Sequence, residues 1–211
     1  MKPIVAGRQC RYPLPSMLND RNSILSLLRT RRSGRPRDLV APGPSAAELE
    51  EILAIGARSP DHGKLFPWRF VTVADDQRED LAKLLNDALA EEEPDAPPAK
   101  FDKAEEFARQ GAALVVLVSA PVPDHKIPQW EQQLSCGAAG MNIVLAAHAL
   151  GYVAGWVTGW QAYSERVRAA FCGPGEKIAG FIFIGSPGRE LEERQRAPLA
   201  TVWRPWRPPR K

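Results

Sequence analysis

Residues able to bind an anion lie close together near the beginning of the chain, at Arg31, Arg32, Ser33 and Arg35. A guanidinium group binds phosphate through two parallel hydrogen bonds, and a hydroxyl group adds a further donor. A predicted helix begins at the N-cap Ser23, continues into this basic group and is stopped by Pro36. A phosphate site at this junction is one interpretation, and a solvated basic turn is the other, because charge runs are commonly plain surface.

Two further groups of basic residues occur, one before and one after the middle of the chain. Arg58 and His62 flank a proline-containing loop that continues to Pro67 and Trp68. A single loop histidine more often caps a neighbouring carbonyl than binds a ligand. Arg194 and Arg196 form a basic pair in the proline-rich tail, where the simplest interpretation is a solubilising segment.

Several kinds of site are disfavoured by the sequence. The histidines share no metal-ligand spacing, and neither HExxH nor a Cys/His cluster occurs, so we expect no metal. The chain also lacks GxSxG, a P-loop and the GxGxxG fingerprint, so a nicotinamide nucleotide would not bind in the Rossmann manner. We assign no catalytic residue.

The length, composition and net charge are those of an ordinary globular protein. The chain has 211 residues, of which 44% are hydrophobic and 25% charged, with a net charge of +3. No apolar run is long enough to span a bilayer, and the N-terminus has no signal-peptide core. The 3 cysteines are odd in number and have no CxxC spacing, which favours a reduced, cytoplasmic location.

The apolar periodicity predicts an α+β fold. Strands are expected at residues 69–74, 112–120, 152–157 and 177–185, and helices at 45–58, 75–93, 100–110, 134–150 and 164–171. We divide the chain into an extended arm (residues 1–22), one domain (23–190) and a basic tail (191–211).

The segment 134–159 is the centre of this prediction. Its helix is apolar almost all round, which places it inside the protein or between two subunits. Small residues at 137–140 would permit another helix to approach closely. The following strand is interrupted by Gly155, where we expect another group to approach the backbone.

Taken in order, these motifs resemble the nitroreductase family of FMN-dependent oxidoreductases over residues 24–206. The basic group at 31–35 is similar to that family's RRSxR signature, and the stretch from Ala57 to Trp68 is similar to its flavin loop. The sequences PDH at 60–62 and HKIPQWEQ at 125–132 most closely resemble the YdjA-type branch of NAD(P)H nitroreductases.

The resemblance implies a nitroreductase-like fold, with a central, mostly antiparallel sheet flanked by helices, in an intertwined homodimer with FMN at the subunit interface. The implied cofactor-binding residues are Arg31, Arg32, Ser33, Arg35, Arg58, His62, Trp156, Val157, Thr158, Arg194 and Arg196. Arg58 and His62 would reach the flavin of the partner subunit. The backbone at 156–158 would face the ring near N5, and Gly155 and Gly159 would permit the ring to approach closely. The tail pair would bind the phosphate and complete the dimer.

The implied activity is transfer of hydride from NAD(P)H to FMN and then to a nitroaromatic, quinone or similar acceptor, in a ping-pong cycle. The chain departs from the family at Val157, where relatives carry an arginine, and at Phe66, where they carry glutamine. Arg35 or the tail pair could replace the missing arginine.

Other functions remain open at this point. An FMN-binding carrier or sensor, or related flavin chemistry such as flavin destruction or dehalogenation, would use the same cofactor site. The interleaved tail WRPWRPPRK could alternatively bind single-stranded nucleic acid. We expect neither a nucleic-acid nor a membrane partner.

Overall fold

The computed structural model describes residues 17–209. These residues form two compact units. One contains the described residues up to Arg32 together with those from Glu192 onward, and the other contains Ser33–Leu191.

The larger unit is built on a five-stranded sheet. Its strands are β1 (Leu39–Val40), β2 (Trp68–Val73), β3 (Ala113–Ser119), β4 (Val153–Val157) and β5 (Lys177–Pro187). The order is β1-β5-β3-β2, with β4 also paired to β5, and every pairing is antiparallel. The sheet confirms the prediction of a central antiparallel layer.

Strands β3 and β5 are buried on both faces, which explains their continuous apolar sequences. Val116 lies opposite Phe181, and side chains alternate between the two faces of the sheet along each strand. The helices must therefore cover both faces.

One face is covered by α3 (Arg78–Glu92), α4 (Pro98–Arg109) and α6 (Glu165–Phe171). The ring of Phe107 packs edge-on against Phe181 and Phe183, with centroid distances of 5.2 Å to both. Edge-to-face aromatic pairs of this kind add to the stabilisation from burial.

The opposite face is covered by α2 (Ala46–Gly56) and α5 (Gln129–Ala149), which pack on Val115, Leu117 and Ile182. Helix α2 begins at the predicted N-cap Ser45, which forms a reciprocal capping box with Glu48.

Helix α5 begins at Gln129, earlier than predicted. The buried Gln132 explains this start, because it binds the preceding loop. Its Oε1 atom accepts from the amide of Val122 at 2.8 Å, and its Nε2 atom donates to the carbonyl of Ile127 at 3.0 Å. The side chain of Gln132 therefore stabilises the polar first turn of α5. The apolar periodicity used for the prediction contains no signal for this contact.

The smaller unit contains α1 (Ile24–Thr30) and α7 (Leu199–Val202). Helix α1 has the predicted N-cap Ser23 but ends at Thr30 instead of continuing through the arginines. The predicted arm, residues 1–22, lies mostly outside the described residues, since only 17–22 of it are described. No helix among residues 17–209 is long and apolar enough to cross a membrane.

Candidate functional site

Arginines predicted to bind phosphate lie together in the smaller unit. The Nη2 atom of Arg196 donates to the carbonyl oxygen of Arg31 at 3.0 Å. The Nε atom of Arg32 donates to the carbonyl oxygen of Glu192 at 2.7 Å. The beginning and end of the chain thus contribute to one group, which we call the arginine cluster (Arg31, Arg32 and Arg196).

The electrostatics of the arginine cluster favour an anion. Burial lowers the pKa of Arg31, and the neighbouring charges of Arg196 and Arg32 lower it further. Glu193, which accepts a hydrogen bond from Arg196 at 2.9 Å, partly offsets this repulsion. A phosphate bound here would relieve the remaining repulsion between the guanidinium groups.

The backbone before this cluster is fixed by Asn19. Its Oδ1 atom accepts from the amide of Arg32 at 2.8 Å, and its Nδ2 atom donates to the carbonyl of Arg32 at 3.1 Å. These bonds replace the helical bonds beyond Thr30 and give the arginines an extended backbone. Asn19 has a φ of 53°, a conformation that asparagine adopts more readily than most residues. This residue type was the available sequence signal, and the sequence analysis missed it.

The remaining tail residue, Arg194, is exposed. Its backbone amide donates to Oε1 of Glu193 at 2.7 Å. Its guanidinium forms no hydrogen bond or ion pair within residues 17–209. Arg194 is therefore close to the arginine cluster in sequence, but no contact of its side chain holds it there.

In the larger unit, the loop after Arg32 packs against β4. A Cβ atom on Gly155 would lie 2.5 Å from the carbonyl oxygen of Gly34, so glycine is required for this contact. The close approach at Gly155 is therefore made by the chain itself and not by the flavin ring that the resemblance implied there. Ser33 is half-buried in this loop and Arg35 is exposed, so the loop brings both predicted residues to the edge of β4.

The predicted residues 156–158 lie at the end of β4. Trp156 donates from Nε1 to the carbonyl of Ala179 at 3.2 Å, and its indole lies against Gly140 of α5. Val157 is half-buried against the core. Thr158 is exposed beyond the strand. The Trp156 side chain is therefore held within the larger unit.

The loop carrying Arg58 and His62 is fastened to α5. His62 Nδ1 and Glu131 Oε2 are 2.7 Å apart, although 67% of the His62 side chain is exposed. The amide of Phe66 donates to Asp61 Oδ2 at 2.8 Å, and the Phe66 side chain is also exposed. Arg58 is exposed and its guanidinium forms no hydrogen bond or ion pair with the rest of the described chain.

A polar contact behind this loop was not predicted. Asn142 of α5 donates from Nδ2 to Ser59 Oγ at 2.9 Å, and Ser59 Oγ donates to the carbonyl of Gly56 at 3.0 Å. The contact fixes the end of α2 to α5, so it sets where the loop begins. Its residues are 83 positions apart, which is why no local pattern revealed it.

Neither described cysteine has the properties of a nucleophile. Burial raises the pKa of Cys136 to about 11, and burial also raises the pKa of Cys172. Both thiols are therefore protonated at neutral pH, and the thiolate is the reactive form. Residues 17–209 contain no group of at least 3 acidic, histidine or cysteine side chains arranged to hold a metal ion.

Comparison with known proteins gives concordant matches. The model of the Nitroreductase family matches residues 28–186. A "Putative NAD(P)H nitroreductase" of Haemophilus influenzae is 36% identical over 173 residues, covering 81% of this chain and 91% of that protein. "Putative NAD(P)H nitroreductase YdjA" of Escherichia coli K12 is 35% identical over 165 residues, covering 77% and 87%.

The fold is shared with solved structures. One is a "putative nitroreductase" in complex with FMN from Desulfovibrio desulfuricans, with a TM-score of 0.67 and 22% identity. The match covers 89% of this chain and 99% of that chain. It shows that the two chains have the same architecture.

Proposed function

Because this chain belongs to the nitroreductase family, we propose that it is an FMN-dependent oxidoreductase that takes hydride from NAD(P)H and reduces nitroaromatic, quinone or similar acceptors. The observation that carries this proposal is the arginine cluster. The curated relatives have the matching activity in their names, and a structural neighbour was solved with FMN.

The described residues fit the phosphate end of FMN. Arg31 is depressed in pKa by burial and by two neighbouring cations, so it gains most from a bound dianion. Arg196 already donates one bond to the Arg31 carbonyl, which holds it in place before a ligand arrives. Arg194, exposed and close in sequence, adds charge near the phosphate.

Other residues that the family resemblance assigns to FMN would serve its ring and ribityl chain. Ser33 offers a hydroxyl and Arg35 a cation from the loop clamped on β4. Residues 156–158 offer main-chain donors and acceptors at the ring. Arg58 and His62 bind the flavin ring held by the partner subunit. Their positive charge stabilises the negative charge that reduction places on the pyrimidine edge of that ring.

When bound, FMN supplies the electron-transfer chemistry that no side chain of the protein can perform. The residues of the chain hold the cofactor, orient the two substrates in turn and exclude water. No side chain acts as a nucleophile, in agreement with the protonated state of the described cysteines.

We further propose a homodimer formed through α5. Trp130 and Leu134 are 67% and 54% exposed, and Gly137 of the same face has open space beside it. Trp130, Leu134 and Gly137 are four and three residues apart and so share one helical face, which we call the α5 stripe. An apolar stripe with a gap for an incoming side chain is suited to a second copy. The dimer would act in the cytoplasm on small-molecule substrates.

Steady-state kinetics test this function. We expect FMN-loaded protein to oxidise NADH or NADPH with a nitroaromatic or quinone acceptor and to give parallel double-reciprocal plots, as a ping-pong cycle requires. Protein that binds FMN but oxidises neither nucleotide would instead be a carrier or sensor, or would catalyse other flavin chemistry.

A further inference from the structure

Two motifs that are distant in the sequence meet in the larger unit, and only one of them has a role in the proposed function. His62 ends the PDH sequence at 60–62, and Glu131 belongs to the HKIPQWEQ sequence at 125–132. Their side chains are in contact although 69 positions separate them, with 2.7 Å between His62 Nδ1 and Glu131 Oε2. Glu131 is thus placed to act on His62.

The beginning of α5 fixes the position of the loop that carries His62. The buried Gln132 holds the segment before the helix by donating to the carbonyl of Ile127. Ile127 is itself buried, and it packs so closely on Gly63 that a Cβ atom there would overlap its Cδ1 atom. The neighbour of His62 is therefore fixed against the same segment that leads into Glu131, so the fold brings the two side chains together.

The hydrogen bond determines which nitrogen of the imidazole carries a proton. A carboxylate only accepts hydrogen bonds, so Nδ1 of His62 is the donor to Glu131. The bond made by one ring nitrogen sets the tautomer and the orientation of a histidine. The other nitrogen, Nε2, has no hydrogen bond within residues 17–209, and 67% of the side chain is exposed. The Nε2 edge is therefore the edge available to a ligand.

Stability alone does not account for this contact. The side chains of His62 and Glu131 are 67% and 45% exposed, and exposed ion pairs contribute little to folding because water and salt screen them. An acidic side chain in the first turn of a helix also interacts favourably with the helix dipole, but that interaction needs no histidine. What the contact adds is a defined direction for the imidazole.

We propose that Glu131 is a positioning residue for the cofactor site, which binds the Nδ1–H group of His62 and so presents the Nε2 edge of the ring to FMN. This inference rests on the proposed function, in which His62 contacts the flavin ring held by the partner subunit. Glu131 does not touch the cofactor and acts only through His62. Without Glu131 the imidazole rotates and changes tautomer, so a smaller fraction of the protein has the binding conformation when FMN arrives.

The first measurement reads the imidazole directly in the full-length protein, before FMN is added. Long-range proton–nitrogen correlation spectra of protein with ¹⁵N-labelled histidines distinguish a protonated Nδ1 from a protonated Nε2. His62→Ala identifies the His62 signals among those of the 3 histidines. We expect neutral His62 to carry its proton on Nδ1 in wild type and to show a mixture of both tautomers in Glu131→Ala. A wild-type His62 that carries its proton only on Nε2 would overturn the proposal.

A double-mutant cycle on FMN affinity shows whether Glu131 acts through His62. With affinity measured by flavin fluorescence, we expect Glu131→Ala to weaken FMN binding about fivefold and His62→Ala about tenfold. The double variant should bind no more weakly than His62→Ala alone, because Glu131 has no effect once the imidazole is absent. Independent effects would instead multiply to about 50-fold, and that result would refute a role exerted through His62.

Conservative replacement separates orientation from charge. Glu131→Gln removes the charge but keeps an acceptor for Nδ1–H, so it should retain the Nδ1 tautomer and bind FMN within about twofold of wild type. Glu106→Ala, at an exposed position of α4, is the control for loss of one acidic charge and should also retain wild-type affinity. If Glu131→Gln weakens FMN binding as much as Glu131→Ala does, charge and not orientation is responsible, and the proposal is wrong.

The two proposals fail in different ways. Protein that binds FMN and gives the expected cycle, but oxidises neither NADH nor NADPH, retains the positioning role of Glu131 and loses the proposed reaction. Protein that oxidises either nucleotide with a quinone, but whose FMN affinity is the same in wild type and Glu131→Ala, retains the reaction and loses the positioning role.

Discussion

Arg196 donates a hydrogen bond of 3.0 Å to the main-chain carbonyl of Arg31, 165 positions earlier in the chain. This contact joins the end of α1 to the tail, as the family resemblance implied when it assigned both stretches to one phosphate. Burial and neighbouring cations depress the pKa of Arg31 at the same place. Arg31 therefore lies beside two other cations before any ligand binds.

Replacing Arg196 should weaken FMN binding more than it destabilises the fold. We expect Arg196→Gln to weaken FMN binding about 10- to 100-fold, because one charge-assisted bond to phosphate contributes about 1.5–3 kcal/mol. The dissociation constant is measured by flavin fluorescence at low and high salt, and the difference between variant and wild type should shrink at high salt. Arg21→Gln is the control for loss of one exposed cation. Unchanged FMN affinity in Arg196→Gln would remove the tail from the phosphate site.

A charge on the α5 stripe should prevent dimer formation. Leu134→Lys places an ammonium group on the exposed apolar face, and burying it between subunits is unfavourable. Size-exclusion chromatography with light scattering should give 23.2 kDa for the variant, the mass of one chain, and twice that mass for wild type. Ala90→Lys, on the exposed side of α3, should remain dimeric. A dimeric Leu134→Lys would place the interface elsewhere.

The packing of Trp156 predicts that Gly180 in β5 cannot be replaced by a larger residue without loss of stability. A Cβ atom on Gly180 would lie 2.1 Å from Trp156 Nε1, and the residue has a φ of +153°. Gly180→Ala should therefore reduce the free energy of unfolding by about 3 kcal/mol or more, from overpacking and backbone strain together. Gly175→Ala isolates the backbone contribution, because Gly175 has a φ of +77° with no atom within 4 Å of the added Cβ.

The loss in Gly175→Ala should be about 1–2 kcal/mol. Urea denaturation at one protein concentration measures both variants, since dimer stability depends on concentration. Equal losses at the two glycines would show that the Trp156 contact does not restrict position 180.

Glu48 should make stability depend on pH. Hydrogen bonds from Ser45 and then Tyr152 lower the pKa of Glu48 below its ordinary 4.5. A carboxyl group with a lowered pKa stabilises the fold above its unfolded pKa, and this stabilisation is lost as the pH falls through the folded pKa. Glu48→Gln should therefore be less stable than wild type at neutral pH, with a difference that shrinks below pH 4.5.

The control for this effect is Glu50→Gln on the same helix, because the Glu50 side chain is exposed and makes no hydrogen bond with the described residues. Urea denaturation across the pH range compares the two variants. A Glu48→Gln difference that stays constant with pH would contradict the assigned hydrogen bonds.

Elements whose signals are local could be predicted from the sequence. The capping box of Ser45 and Glu48 is formed by residues three positions apart. The continuous apolar sequences of β3 and β5 indicate by themselves that these strands are buried. The family resemblance was confirmed by the family model and by relatives at 35–36% identity.

Features that depend on distant partners could not be predicted. Helix α1 ends at Thr30 because Asn19 binds the backbone of Arg32 across 13 positions. Gly155 faces the carbonyl of Gly34, so the glycine alone could not reveal which group approached it. The direction of the Trp156 indole depends in the same way on Gly140 of another element. The roles assigned to the cofactor-binding residues remain predictions.

The most direct measurement is an anaerobic titration of the FMN-loaded protein, followed by its visible absorbance. We predict that NADH or NADPH bleaches the flavin absorbance and that a nitroaromatic or quinone then restores it. Colourless protein after incubation with FMN, or a bound flavin that neither nucleotide bleaches, would contradict the proposed oxidoreductase function.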